Sequence, residues 1–336
     1  NKEKIDPYYL YYFLISPLGQ HRLLENSSQV GVPAIARAST SVKEILVPVP
    51  SLNIQKKIVE LLRNLDKKIE LNQKMNETLE EIAKTLFKSW FIDFDPVRAK
   101  AEGRPTGLSK EISDLFPDSF EDSELGEIPK DWKIKKISDI FEVKKGSTPA
   151  TKNTEFWEPE EHKWVSPRDL SQNPSIFLFD SARGISKVGL QKIRSGLLPD
   201  NTVMMSSRAP IGLLGISGIN CALGTGIFAI PPKNIMSYGL TYFFVGNQIR
   251  KLKQLSIGST FEEVSLKIFN NLMIVFPNDE ILTATKDIFD DFFKKIKTNT
   301  LEIKTLTNIR DTLLPKLISG ELKISDAENL VEKAGI

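Results

Sequence analysis

The chain has 336 residues, of which 40% are hydrophobic, and a net charge of +2, which predicts a globular protein of two or more domains. Its one cysteine, Cys221, excludes an internal disulfide and is typical of a reducing compartment. The sequence shows no signal peptide and no apolar run long enough to cross a bilayer, so a cytoplasmic location is expected, although the chain starts with Asn1 rather than Met.

Residues 1–50 are predicted to form the C-terminal part of a first domain. They contain the apolar stretches LYYFLI (10–15) and ILVPVP (45–50), and the second predicts a short strand that ends in proline. Both stretches have later counterparts, LTYFFV (240–245) at an offset of 230 residues and LMIVFP (272–277) at an offset of 227.

A long helix is predicted over residues 51–92. Its apolar residues recur at spacings of three and four from Ile54 to Trp90, which is typical of an amphipathic helix with near-heptad spacing. Ser51 is in place to cap its start. About 40 residues at about 1.5 Å each predict a rod of about 60 Å.

Residues 93–125 are predicted to form an acidic linker that is rich in proline and glycine. The segment holds 4 Lys/Arg against 9 Asp/Glu, a net charge of −5, whereas residues 126–277 hold 19 against 13, a net charge of +6. A nucleic acid is therefore one possible partner of the domain at 126–277, although many ordinary domains are equally basic.

The domain at 126–277 shows short strand-like runs and a helical stretch near 237–254. Several of its turns place a cationic or hydroxyl residue beside glycine or proline, and such residues can hold phosphates or contact base edges. These turns lie at residues 145–149, 168–169, 206–208 and 258–260. Turns commonly have this composition, so Arg168 could instead pair with Asp169, and Arg208 could cap a turn.

A second long helix is predicted over residues 278–318, followed by a C-terminal tail, 319–336. Residues 50–91 align with residues 277–318 without a gap at an offset of 227, so the end of a domain and its long helix occur twice. About 150 residues of domain precede the second copy, but only 50 precede the first. The first domain is therefore expected to be incomplete by roughly 100 residues.

The two apolar stripes predict that the helices pair with each other, and the domain between them leaves room for an antiparallel return. Asn72 and its equivalent Asn299 fall on the apolar phase near the middle of each helix. One hypothesis places both at a pseudo-two-fold axis, where they set the register; the alternative points both to solvent. The expected fold class is α+β: mixed globular domains joined by two long antiparallel helices in a coiled coil, with an internal repeat.

No known catalytic motif is present. The sequence lacks a phosphate-binding loop, a nucleophile elbow and an Asn/Asp-Pro-Pro-aromatic stretch, and LGTG (223–226) is interpreted as a turn rather than a dinucleotide fingerprint. His21 and His162 have no cysteine cluster near them, so no metal site is expected. These observations favour binding over catalysis.

Several stretches together resemble the specificity subunits of type I restriction–modification systems. They are FDPVRAKAEGRPTGLS and the residues that follow to 132, GSTP (146–149), WVSPRDL (164–170), SSRAPIG (206–212), GST (258–260) and residues 47–72. Where that family commonly has Asn-Gln-Gly-aromatic, this chain has Asn220-Cys221-Ala222-Leu223.

The resemblance implies two target-recognition domains, each reading half of a split, asymmetric duplex DNA target, with the helices setting the unread gap. It also implies two modification (adenine methyltransferase) subunits as partners, joined by restriction subunits in the full complex. No cofactor is expected in this chain, and S-adenosylmethionine, ATP and magnesium would belong to the partners.

Within this framework we expect six DNA-facing residues: Lys145, Thr148, Arg168, Lys187, Arg208 and Thr260. The partner surface is expected at the helix ends and to include Phe87, Trp90 and Phe91, which could instead be core residues. Two other classes stay open: a scaffold that holds protein partners without binding DNA, and an enzyme with an unrecognised site.

Overall fold

The structure is a computed structural model that describes residues 3–25, 38–208, 210–233, 236–256 and 263–333. Its contacts divide the chain into two compact units: unit 1 is Asn1–Met75 with Asn299–Ile336, and unit 2 is Asn76–Thr298. Each long helix contributes one part to each unit, whereas the predicted domains had their boundaries at the helix ends.

Helices account for all regular structure in the described part of unit 1 and alternate with strands in unit 2. The helices are α1 (Pro7–Ile15), α2 (Pro17–Leu24), α3 (Ala38–Lys43), α4 (Leu52–Phe91), α5 (Asp95–Ala101), α6 (Lys110–Ser113), α7 (Ile137–Ile140), α8 (Pro167–Gln172), α9 (Lys187–Leu190), α10 (Tyr238–Leu255), α11 (Leu266–Asn270), α12 (Asp279–Ser319) and α13 (Ile324–Lys333), with a short 3-10 turn at Thr154–Phe156. The prediction of two long helices in an α+β fold is confirmed.

The described strands all belong to unit 2. They are β1 (Phe120–Ser123), β2 (Gly126–Pro129), β3 (Lys133–Lys136), β4 (Lys144–Lys145), β5 (His162–Val165), β6 (Phe177–Leu178), β7 (Arg183–Ile185), β8 (Val203–Ser206), β9 (Leu214–Ser217), β10 (Cys221–Leu223), β11 (Ile227–Ile230) and β12 (Met273–Phe276). They form a five-stranded sheet in the order β4-β11-β8-β9-β6, a three-stranded sheet β10-β5-β7, and the pairs β1-β2 and β12-β3.

The two long helices run antiparallel in unit 1, as two ion pairs show. Lys68 Nζ lies 3.3 Å from Glu302 Oε1, and Asp66 Oδ1 accepts a hydrogen bond from Arg310 Nη1 at 2.8 Å. The α4 residue that lies earlier in the chain, Asp66, thus pairs with the α12 residue that lies later, Arg310, as expected for antiparallel helices. Tyr12 Oη donates to the other oxygen of Asp66 at 2.6 Å, so the same carboxylate ties α1 to the helix pair.

The repeat is visible in the short helices, with a register that differs by one residue from the prediction. The N-caps of α1 and α10, Asp6 and Ser237, are 231 residues apart rather than 230. At this offset the buried rings of Tyr12 and Phe13 correspond to the buried rings of Phe243 and Phe244. Helix α10 runs unbroken for 18 residues, whereas Pro17 separates α1 from α2 because proline has no N–H to continue the first helix.

The predicted strand at 45–50 is absent from the structure, which has no strand at these residues. Its counterpart β12 pairs antiparallel with β3. A strand needs a neighbour to bond its backbone N–H and C=O groups, and the described residues of unit 1 contain no strand to pair with. The repeat in sequence therefore does not carry the same secondary structure in both copies.

The predicted linker, residues 93–125, contributes side chains to a hydrophobic core. Helices α5 and α6 lie in this segment, and Phe94, Val97 and Phe116 are buried in the core of unit 2. The predicted tail likewise contains α13, whose Ala327 and Val331 are buried in the core of unit 1. Apolar residues spaced along charged segments explain both outcomes, since the charges occupy the outer face.

Each unit has its own hydrophobic core. The core of unit 1 joins Tyr9 and Phe13 of α1 to Leu62 of α4 and Leu306 of α12. The core of unit 2 is rich in aromatic side chains from the ends of both long helices, α10 and the sheet. These separate cores give each unit its own source of hydrophobic stabilisation.

Candidate nucleic-acid interface

Four loops of unit 2 meet at one place, which we call the loop cluster: residues 145–148, 166–168, 207–208 and 223–226. Ser147 N donates to Leu223 O at 3.0 Å, and Ser207 N donates to Gly226 O at 2.8 Å. A Cβ added at Gly226 would lie 3.2 Å from Pro167 Cγ, so the second loop also lies against the fourth. Four of the predicted DNA-facing residues, Lys145, Thr148, Arg168 and Arg208, belong to this cluster.

Lys145 is the last residue of β4, and Thr148 lies in the loop that follows. Lys145 is exposed and pairs across the sheet with Phe228 of β11. Thr148 is also exposed, and its hydroxyl bonds to Thr225: Thr148 Oγ1 donates to Thr225 Oγ1 at 3.0 Å and accepts from Thr225 N at 3.1 Å. The two loops are thus tied together by side chains as well as by backbone bonds.

Arg208 lies over Gly226. A Cβ added at Gly226, whose φ is +95°, would be 3.0 Å from Arg208 Nε, which favours glycine there on both backbone and steric grounds. The Arg208 side chain is 43% exposed, and its Nη1 lies 4.0 Å from Glu263 Oε2, the limit of an ion pair. Its guanidinium therefore retains donors for another partner.

Arg168 lies in the first turn of α8 and is exposed. The alternative in which it pairs with Asp169 finds no support, because no ion pair joins the two among the described residues. Asp169 instead accepts from Ser166 N at 2.8 Å, from Ser166 Oγ at 2.5 Å and from Ala182 N at 2.7 Å. These bonds cap α8 and engage both carboxylate oxygens of Asp169.

Lys187 does not belong to the loop cluster. It follows β7 and lies beside Glu161, which precedes β5, whereas the cluster residues 166–168 come after β5. Its Nζ is 2.9 Å from Glu161 Oε1, and its backbone N donates to Glu161 Oε2 at 2.8 Å. These bonds to the Lys187 backbone and ammonium hold the pKa of the Glu161 carboxyl below its ordinary value. The sixth predicted residue, Thr260, lies outside the described residues.

The aromatic residues predicted at a partner surface are in the core. Phe87, Trp90 and Phe91 are buried, with 4%, 5% and 1% of their surface exposed, and all three pack on Phe289 with ring centroids 5.9–6.5 Å apart. The core alternative is therefore the one that the structure supports, and these side chains offer little surface to a partner. The apolar stripe of α4 does not by itself distinguish core residues from residues of a partner surface, because both are apolar.

Asn72 and Asn299 are both buried, at 3% and 0% exposure, which rules out the alternative that points them to solvent. Both belong to unit 1, where α4 and α12 run antiparallel. Their meeting at a pseudo-two-fold axis remains a proposal.

Thr225 is a candidate residue that the sequence alone did not identify. The sequence predicts only a turn at LGTG, because the stretch lacks the third glycine of a dinucleotide fingerprint. The signal in the sequence that could have identified Thr225 is the glycine on each side of it. A Cβ at Gly224 would lie 2.6 Å from Trp164 Cζ2, so both glycines are required by close packing.

Neither a metal centre nor a membrane span is found in the described part of the chain. No group of three or more His, Cys, Asp or Glu side chains there could hold a metal ion. None of the helices in those residues is both long and apolar enough to cross a membrane.

Comparison with known proteins adds independent information. The family model for the type I restriction modification DNA specificity domain matches residues 1–81 and 129–308. The HindI specificity subunit of Haemophilus influenzae is 29% identical, over 84% of this chain and 70% of its own length. The MjaIX specificity subunit of Methanocaldococcus jannaschii is 27% identical, over 97% of this chain and 71% of its own length.

A solved structure shares the fold. The S subunit of a type I restriction–modification system from M. genitalium superimposes with a TM-score of 0.57 at 18% identity, over 95% of this chain and 74% of that chain. At this identity the likeness concerns the fold alone.

Proposed function

Because the chain belongs to the family of type I restriction–modification DNA specificity proteins, we propose that it is the subunit that gives such a complex its DNA sequence specificity. The observation that carries this is the family match, which extends over both copies of the repeat. Specificity subunits of these systems are not catalytic; partner subunits carry the enzymatic activity. The scaffold without DNA binding is not favoured.

The loop cluster of unit 2 is the surface that we assign to DNA reading. It gathers the exposed residues Lys145, Thr148 and Arg168 and the half-buried Arg208 at loops supported by two sheets. Arginine and threonine side chains bond base edges, and lysine ammonium groups hold phosphates. Lys187, which lies apart and is paired with Glu161, is assigned a phosphate contact rather than a base contact.

The remaining assignments follow the family. Unit 2 reads one half of a split, asymmetric duplex target, and the other half belongs to the first repeat. The chain docks two modification subunits, restriction subunits join the full complex, and S-adenosylmethionine, ATP and magnesium bind those partners.

A methylome tests this function. The chain is expressed with its cognate modification subunit in a methylation-free bacterium, and N6-methyladenine is mapped across the genome. We expect a split motif with a fixed gap. Arg208→Ala should relax or abolish one half-site only, because a base contact affects its own position. Lys187→Ala is the matched control, and it should lower methylation at all sites while leaving the motif unchanged.

Three results would contradict parts of the proposal. A stable complex without methylation would show that these residues do not suffice for reading DNA. Absence of any complex would revive the scaffold. Equal weakening of both half-sites by Arg208→Ala would assign Arg208 to phosphate rather than to a base.

A further inference from the structure

The hydroxyl pair Thr148–Thr225 has a fixed hydrogen-bonding capacity. Thr148 Oγ1 accepts from Thr225 N and donates to Thr225 Oγ1, which leaves the Thr225 hydrogen for an outside acceptor. If the bond between the hydroxyls is reversed, Thr148 keeps its hydrogen instead. In either arrangement the pair presents one O–H donor at an exposed place.

This donor is held in position by the backbone around it. Thr225 stands between two glycines, of which Gly224 is pressed against the Trp164 ring and Gly226 lies under Arg208. Ser147 N and Ser207 N bond to the carbonyls of Leu223 and Gly226, at the two ends of the same short loop. A donor fixed in this way loses little conformational freedom when it binds, which favours its use in recognition.

Three buried polar groups also lie around this loop. The hydroxyls of Ser147 and Ser207 and the indole Nε1 of Trp164 are buried and have no hydrogen-bond partner among the described residues. Ser207 is fully buried and directly precedes Arg208. Buried polar groups in native proteins are usually paired with protein or with ordered water, so these three groups can bond a water beside the loop.

Arg208 sets the chemistry that the pair can recognise. Its guanidinium lies over Gly226, the neighbour of Thr225, so positive charge and N–H donors stand beside the hydroxyl donor. Such a surface favours a base edge that carries acceptors and disfavours exocyclic amines. Guanine presents two acceptors, N7 and O6, in the major groove, and arginine bonds both in its commonest specific contact.

We propose that Thr148, Thr225 and Arg208 form one composite reader for a guanine-containing, acceptor-rich edge in the major groove, and that Thr225 is a specificity-determining residue. The proposal rests on the proposed DNA-reading function. Thr148 is a positioning residue in it: its hydroxyl orients Thr225 and completes the donor.

The test is a selection from randomised duplexes with the full chain in complex with its modification subunit, followed by competition titrations on the best site. Thr225→Val removes the hydroxyl at nearly constant shape, and Thr225→Ser keeps it. We expect the valine variant to lose about five- to tenfold of the discrimination at one base position, which corresponds to one hydrogen bond. Thr148→Val should relax the same position, whereas Thr225→Ser and Thr148→Ser, which keep the hydroxyl, should retain the discrimination.

Thr283→Val is the matched control, since Thr283 is an exposed threonine on α12 that bonds its own helix at Asp279 O. It should leave the selected sequence unchanged. An unchanged sequence with Thr225→Val would overturn the composite reader, as would a uniform loss at all positions. Absence of any sequence preference in the unaltered complex would instead overturn the proposed function itself. Thermal unfolding of each variant separates loss of reading from loss of fold.

Discussion

Small packing requirements around Thr225 show how much single residues decide in this protein. Gly224 and Gly226 allow the loop to approach Trp164 and Arg208. The carboxylate of Asp169, which could have paired with Arg168, caps α8 instead. Neither assignment follows from the residue types alone, because glycine and aspartate are common in turns for other reasons.

Cys221 gives a residue-scale prediction in pH. The thiol is fully buried in β10, and this burial raises its pKa to about 11, with a hydrogen bond from Ser217 acting in the opposite sense. At pH 8 we expect iodoacetamide to alkylate the folded chain at least about a hundredfold more slowly than the unfolded chain, because the thiolate is the nucleophile and the sulfur is buried. Rates measured with and without denaturant check this, and equal rates would contradict it.

The same shift has a consequence for stability. The pKa of Cys221 in the folded chain lies above the unfolded value of 9.0. The stabilisation that the protonated thiol gives the folded state is therefore complete below pH 9 and is lost as pH rises from 9 to about 11. The free energy of unfolding of Cys221→Ala, measured in urea at several pH values, should therefore fall less over this interval than that of the unaltered chain.

At the scale of secondary-structure elements, contacts between helices hold unit 1 together. Asp66 connects Tyr12 and Arg310 at once, and the two long helices run antiparallel in unit 1. Corresponding parts of the two repeats nevertheless differ in secondary structure. Pro17 separates α1 from α2 in the first repeat, whereas α10 is continuous in the second. The strand predicted at 45–50 is not formed, because strand structure depends on a neighbour.

A double-mutant cycle tests the proposal that Asn72 and Asn299 meet in the helix pair. Asn72→Ala, Asn299→Ala and the double variant are unfolded in urea, and their free energies of unfolding are compared. Contact between the two side chains should give a coupling energy of at least about 0.5 kcal/mol. Effects that add within about 0.3 kcal/mol would mean that the two side chains do not interact.

At the scale of the whole molecule, the largest hydrophobic core of each unit includes residues of both long helices. Each core is complete within its own unit, and residues that the sequence assigned to a linker and a tail belong to these cores. In the proposed function the length of the helices is the quantity that sets the unread gap in the DNA target.

Lengthening both helices by one heptad tests that role. Duplicating residues 69–75 in α4 and residues 296–302 in α12, which lie where the helices pass from one unit to the other, keeps the apolar stripe in phase and adds about 10 Å to each helix. The gap in the methylation motif should grow by up to about three base pairs, at about 3.4 Å per pair. Duplication in one helix only should disturb the pairing and lower stability. A gap that stays constant in the double insertion would show that the helices do not set it.

The amino-acid sequence by itself determined the long helices, their antiparallel return, the internal repeat and the family. These depend on periodicity and on local composition, which a single chain displays directly. Tertiary structure alone decided that Phe87, Trp90 and Phe91 are core, that 45–50 is not a strand, that Lys187 lies apart from Arg208, and that Thr225 joins Thr148. Each of these depends on what a residue meets across space, and residues that meet in this way, such as Thr148 and Thr225, are far apart in the chain.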